Sequence, residues 1–322
     1  MPRMFRWLSI PVVAAAMLAG CRAGSPKAAG TPPGSGMVVA TETAAAGCAP
    51  ARAHAPGDTN ETIAVAGASR TYLLHIPPGY DGAVRTPLVL LFHGFALSAE
   101  FMRAYTKFSD VADAHRFVLV IPNGTGSPRF WNSNGVPGGP DDVGFGRDLL
   151  AKLRGQLCVD PARVYAAGYS NGGGMAQLVA CSLRSEIAAV ALVASEYGPC
   201  PAAVPLIAFH GTADPVLPFE GAPASGAAGV SFPPIRMVVS AWAARLGCDR
   251  LPTISRPAPD VELSTFHNCI AGDAQALLYA VLGGGHTWPG GAFPIDAVGP
   301  TTQEINASAV IWGFFAAHPK AR

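Results

Sequence analysis

Charge is scarce in this chain: 13% of its 322 residues are Asp, Glu, Lys or Arg, and the formal net charge is +1. A near-neutral surface gives no electrostatic footing for an anionic polymer, so nucleic acid is not expected as a partner. At 50% hydrophobic residues, the chain is also too apolar for a disordered protein. Long apolar runs are lacking beyond the first twenty residues, and no later one reaches membrane-spanning length without interruption. No His-Glu-x-x-His occurs, no Cys/His cluster has zinc spacing, and no Lys-Ser/Thr follows Gly172-Gly173-Gly174. These absences argue against zinc chemistry and a phosphate loop, and neither metal nor cofactor is expected. With no internal repeat or sign of a second folded domain, one large core and a monomer are the expectation.

The exception lies at the start. Arg3 and Arg6 precede an apolar segment over 8–19 that is too short to span a bilayer. It runs into Leu18-Ala19-Gly20-Cys21, which has the form of a bacterial lipobox. Residues 1–20 are therefore expected to be a lipoprotein signal peptide and Cys21 the lipid anchor, the chain's link to the membrane. An ordinary secretory peptide with an incidental cysteine is the other reading. Residues 21–47, rich in Ala, Gly, Pro, Ser and Thr, read as a flexible tether, and 48–322 as the catalytic domain, held outside the cytoplasm.

An exported chain turns its remaining cysteines into disulfide candidates. Cys158 precedes the strand that carries the candidate nucleophile, and Cys181 ends the helix that returns from it, so Cys158–Cys181 is expected. Cys248 and Cys269 bracket a Pro-rich excursion and form a second pair, which leaves Cys48 with Cys200.

From residue 62 onward strand-like and helix-like segments alternate. Strands are predicted over 70–76, 88–92, 117–121, 164–167, 187–194, 206–210 and 277–282. Helices are predicted over 98–115 with Ser98 as N-cap, then 142–157, the segment after Ser170, 235–246 and about 302–317. This alternation predicts an α/β fold: a mostly parallel sheet with helices on both faces, and ligands at the carboxyl ends of the strands.

Gly168-Tyr169-Ser170-Asn171-Gly172 sits where a strand gives way to a helix. A serine on so sharp a turn has its hydroxyl pushed clear of the sheet, and the flanking glycines let strand and helix approach. Two further segments follow predicted strands. Asp214 lies in Gly211-Thr212-Ala213-Asp214-Pro215, and His286 in Gly283-Gly284-Gly285-His286-Thr287-Trp288. Ser170 is read as nucleophile, His286 as its base and Asp214 as the carboxylate that orients the imidazole. Their order along the chain is that of the α/β-hydrolases. His93-Gly94-Phe95 ends another predicted strand, and the Phe95 amide is expected to form an oxyanion hole with that of Asn171. Of the eight histidines, His93 and His210 also stand at strand ends, where packing or loop hydrogen bonds account for them.

The chain resembles the esterase family of poly(3-hydroxybutyrate) depolymerases and feruloyl or acetylxylan esterases, in particular its LpqC-like lipoprotein branch. The matching segments include Phe92-His93-Gly94, Ile121-Pro122-Asn123-Gly124, Trp131-Asn132, Asp141-Asp142-Val143-Gly144-Phe145, Gly168-Tyr169-Ser170-Asn171-Gly172-Gly173, His210-Gly211-Thr212-Ala213-Asp214 and Gly285-His286-Thr287-Trp288-Pro289. The resemblance implies that Ser170, Asp214 and His286 are catalytic. It also implies that Trp131, Trp288, Asp142 and Tyr169 shape the substrate site. The tryptophans suit an apolar wall for an aromatic acyl group, or equally core packing. The expectation is a lipid-anchored serine carboxylesterase for feruloyl, acetyl or short hydroxyalkanoate esters. An acyltransferase with the same triad and a non-catalytic binding lipoprotein are the alternatives.

Overall fold

The computed structural model describes residues 47–195, 200, 204–222, 231–270 and 276–321. The expected signal peptide, the anchor Cys21 and the tether through residue 46 lie outside them. Along the chain the strands are β1 (Gly57–Val65), β2 (Ala68–Ile76), β3 (Thr86–Phe92), β4 (Val118–Pro122), β5 (Val159–Tyr169), β6 (Ala189–Val193), β7 (Leu206–Gly211), β8 (Thr253–Ala258), β9 (Val261–Phe266) and β10 (Ala276–Val281). They form a ten-stranded sheet in the order β1-β2-β4-β3-β5-β6-β7-β10-β9-β8. From β4 across to β10 every neighbouring pair is parallel. Antiparallel pairing is confined to the two ends of the sheet.

The helices are α1 (Ala99–Thr106), α2 (Phe108–His115), α3 (Asp142–Gln156), α4 (Asn171–Ser182), α5 (Ile235–Arg245) and α6 (Ala307–Ala317). They cover both faces of the sheet, which explains the unbroken apolar run of β3. Leu88, Leu90 and Phe92 enter one core cluster with residues of α3, α4 and α5. Val89 and Leu91 point the other way, into a cluster with residues of α1, α2 and α6. Burying each such side chain contributes about 1.5–3 kcal/mol. The architecture is the α/β-hydrolase fold. The strand order reverses at β3, which puts a crevice between the carboxyl ends of β3 and β5.

Three departures from the predicted elements have visible physical causes. The single helix over 98–115 is two helices, because Lys107 takes a left-handed conformation with φ 52°. The Thr106 hydroxyl donates to the Met102 carbonyl at 2.7 Å and accepts from the Phe108 amide at 3.3 Å, a local alternative to the helical ladder. The last helix starts at Ala307 rather than near 302, where the Asn306 side chain caps the Ala309 amide. The Pro-rich excursion is the β8–β9 hairpin, whose outer strand is exposed along nearly its whole length and so carries no apolar signal.

Two expected disulfides are corrected. The bonds are Cys48–Cys158, Cys181–Cys200 and Cys248–Cys269, so neither Cys158–Cys181 nor Cys48–Cys200 is formed. Cys158 enters β5 beside the start of β3, where its carbonyl accepts from the Thr86 amide. The N-terminal segment packs at the same place, its Cys48 amide donating to the Ala83 carbonyl at 2.8 Å. That contact takes Cys158 and leaves Cys181, at the end of α4, to the segment that follows β6. Position along an element does not say which neighbour stands beside it.

Candidate active site

Ser170 links β5 to α4 with φ 54° and ψ −122°, a conformation that costs a non-glycine residue about 1–3 kcal/mol. The turn is held by the Ser170 amide donating to the Val193 carbonyl at 2.9 Å and by the Gly173 amide donating back to the Ser170 carbonyl at 2.8 Å. A Cβ on Gly168 would sit 2.0 Å from the Gly172 carbonyl oxygen, and one on Gly172 would sit 2.3 Å from the carbonyl oxygens of Phe92 and His93. Strand β5, helix α4 and the end of β3 therefore meet only because both positions are glycine. Ser170 itself is partly exposed.

Asp214, in the turn after β7, is buried. Its Oδ1 accepts from the amides of Val216 and Leu217, each at 2.8 Å. Its Oδ2 accepts from His286 Nδ1 at 2.7 Å and faces His210 Nε2 at 3.2 Å. Burial alone would raise the carboxyl pKa. The bonds from His210 and His286, with the Leu217 amide, outweigh it and hold the group ionised well below the usual carboxylate range. With Nδ1 donating, the neutral His286 ring presents Nε2 as a lone pair, the state a general base needs.

His286 is fixed by its backbone too. Its amide donates to the Val298 carbonyl at 2.7 Å, and its carbonyl accepts from the Tyr169 hydroxyl. Tyr169 immediately precedes Ser170, so this bond ties the histidine loop to the nucleophile turn. Their rings lie 5.4 Å apart between centroids. Burial pushes the Tyr169 hydroxyl pKa up, which keeps its proton on the bond. Tyr169 thus acts as a clamp on the loop.

Of the residues expected to line the acyl pocket, two are in the core: Trp131 is 2% exposed and Trp288 0%. The Trp131 indole packs edge-on against Phe92 and donates to the His93 carbonyl at 2.9 Å. The Trp288 indole donates to Ser308 of α6 at 3.1 Å. An indole in a loop reads alike as wall or core until the layer above it is known. Asp142 is also buried, in an ion pair with Arg70 at 2.7 Å, and its second oxygen accepts from the Asn132 amide at 2.8 Å. It anchors the 123–142 loop and does not face the crevice as a free carboxylate.

Asn171 opens α4. Its side chain clasps Trp131, accepting from that residue's amide at 2.8 Å and donating to its carbonyl at 3.1 Å. Its own amide belongs to the first turn, where no helical carbonyl reaches back. The turn after β3 lies alongside: a Cβ on Gly94 would be 3.4 Å from the Ser170 Cβ. In that turn the Ala96 amide is bonded to the Arg129 carbonyl and the Leu97 amide to the Gly94 carbonyl. The Phe95 amide has no such partner among the described residues.

His210 and His93, expected to serve packing or loop hydrogen bonds, make such bonds, and each adds to the site. His210 adds a second imidazole to Asp214, donating from Nε2 to the Leu217 carbonyl at 2.8 Å as well. Its signal was present in the four-residue spacing of His210 and Asp214. His93 is fully buried, with Nδ1–H on the Gly94 carbonyl at 2.7 Å and Nε2 accepting from the Gly124 amide at 2.9 Å. Burial pushes its pKa down from 6.5 to about 4, with Arg129 and Arg70 acting the same way and the Gly94 carbonyl and Glu100 opposing. Between those two pH values the unfolded chain holds the proton and the folded one does not. Stability therefore rises with pH across the window and is lost on acidification, by about 3 kcal/mol in full. Urea unfolding from pH 7 to pH 4.5 should show this slope, and His93→Asn should flatten it. Parallel slopes would contradict the assignment.

These features can be set beside known proteins. The family model described as Esterase PHB depolymerase matches residues 70–216. The "Putative esterase NocK" of Nocardia uniformis subsp. tsuyamanensis is 34% identical over 277 residues, 78% of this chain and 80% of that protein. The chain belongs to this esterase family. As a member it is a carboxylic ester hydrolase. Feruloyl esterase B of Piromyces equi is 29% identical over 242 residues, 71% of this chain but 45% of its own length. Among solved structures, the acetyl xylan esterase from Aspergillus awamori superposes with a TM-score of 0.54 at 13% identity, over 74% of this chain and 96% of that one. That likeness is one of fold.

Proposed function

We propose that this esterase works by a Ser170-His286-Asp214 triad through an acyl-enzyme. The observation that carries the reading is the 2.7 Å bond from His286 Nδ1 to Asp214, on a histidine whose carbonyl is tied to the residue before Ser170. Ser170 Oγ attacks the ester carbonyl carbon while His286 Nε2 takes its proton. The carbonyl oxygen, now an anion, meets the amides of Phe95 and Asn171. Collapse expels the alcohol, which leaves with the proton from His286. Water then repeats the sequence, releasing the acid and restoring Ser170.

Feruloyl, acetyl and short hydroxyalkanoate esters are the substrate classes on this reading, the first supported by the likeness to feruloyl esterases. The three disulfides support a site of action outside the cytoplasm. Tethering through a lipid on Cys21 and a monomeric state complete the proposal. The test is turnover of p-nitrophenyl acetate, butyrate and octanoate, methyl ferulate and a poly(3-hydroxybutyrate) suspension, with Ser170→Ala as control. Ser170-dependent turnover of methyl ferulate above the alkyl esters selects the aromatic class. Turnover that survives in the control overturns the mechanism.

A further inference from the structure

We infer that His93 is the positioning residue of the oxyanion site: its neutral imidazole orients the peptide unit whose N–H, that of Phe95, meets the developing anion. The inference rests on the triad reading above. A trans peptide is planar, with its C=O and N–H pointing in opposite directions. The Gly94 carbonyl and the Phe95 N–H belong to one such plane, so fixing the carbonyl fixes the amide.

The Gly94 carbonyl is fixed twice, by His93 Nδ1–H at 2.7 Å and by the Leu97 amide at 3.2 Å. The ring is fixed in turn, because its Nε2 accepts from the Gly124 amide at 2.9 Å. This second bond selects the neutral ring with the proton on Nδ1, since Nε2 cannot carry a proton and accept. Trp131 holds the preceding peptide by donating to the His93 carbonyl at 2.9 Å, and Asn171 holds Trp131 by its amide and carbonyl. The donors on either side of the anion, from the β3 turn and the start of α4, are thereby tied into one hydrogen-bonded frame. A histidine suits the position because one rigid ring must give a proton on one side and accept one on the other.

The pairing assigns different outcomes to different variants. His93→Ala removes both bonds and leaves the plane held only by Leu97. His93→Asn places an amide nitrogen near the Nδ1 position and loses the acceptor for Gly124. With KM staying within about three-fold, kcat should fall about 10²–10³-fold in His93→Ala, the loss typical of one oxyanion donor, and less in His93→Asn. Affinity for a trifluoromethyl ketone, which becomes an anionic tetrahedral adduct on the serine, should fall in step with kcat. A residue that merely packs would not tie those two quantities together.

Wild-type kcat in folded His93→Ala, or a fall in kcat with inhibitor affinity unchanged, would overturn the proposal. If His93→Ala does not fold, His93→Asn carries the same test with a smaller expected loss. The reading on which this rests fails separately, since Ser170→Ala would then retain wild-type turnover whatever His93 does.

Discussion

Replacing Ser170 by alanine should lower kcat by about 10⁶-fold while leaving the fold intact, the loss seen when one member of a cooperating triad is removed. The remaining rate would come from binding and the oxyanion donors alone. Stability should barely move, because the Ser170 side chain makes no capping bond at the start of α4. Alanine keeps the Cβ, and so keeps the same backbone strain at φ 54°. The turn is held by bonds from backbone groups, which the substitution does not touch. A change of stability within about 0.5 kcal/mol is expected. Circular dichroism and a urea titration beside the kinetic assay check both halves of the statement.

Asp214→Asn should cost about 10⁴-fold in kcat, the loss characteristic of a histidine held in the wrong tautomer. The direction follows from the four groups around the carboxylate. Oδ1 accepts from two backbone amides, so the asparagine oxygen must stay there. Its NH₂ group then takes the Oδ2 position and points a donor at His286 Nδ1. To accept, Nδ1 must give up its proton, which moves to Nε2 and removes the lone pair meant for Ser170. The same NH₂ also faces His210 Nε2, whose proton is already committed to the Leu217 carbonyl. Two donors then oppose each other in a buried site, so a lowered melting temperature should accompany the lost activity. Asp214→Asn with wild-type kcat would remove Asp214 from the mechanism.

How much of this was legible beforehand varied with the kind of information needed. The placement of Ser170, Asp214 and His286 just after strands could be read because the apolar runs before them mark the strand ends. Gly168 could be read because the contact that forbids its Cβ, with the Gly172 carbonyl, is local to the turn. Gly172 could be read because it completes the G-x-S-x-G pattern, although the carbonyls that exclude its Cβ come from Phe92 and His93 at the end of the neighbouring strand. What failed needed tertiary neighbours. Pairing Cys48 with Cys158 required knowing that the N-terminal segment packs against residues 82–83. Trp131 and Trp288 read equally as pocket wall or core, because nothing in their local sequence shows the layers above them, and both lie in the core. Asp142 needed Arg70, which is distant in sequence and is brought near by β2. His93 was recognised as a source of loop hydrogen bonds. That its bond falls on one particular peptide plane is visible only in the fold.

The account stands most directly on one measurement: the site of labelling by a fluorophosphonate, mapped by mass spectrometry of the digested protein. It predicts a single adduct on the peptide carrying Ser170, formed in step with loss of esterase activity and absent in Ser170→Ala. An adduct on another residue, or an unlabelled Ser170 in a preparation that still hydrolyses p-nitrophenyl esters, would contradict it.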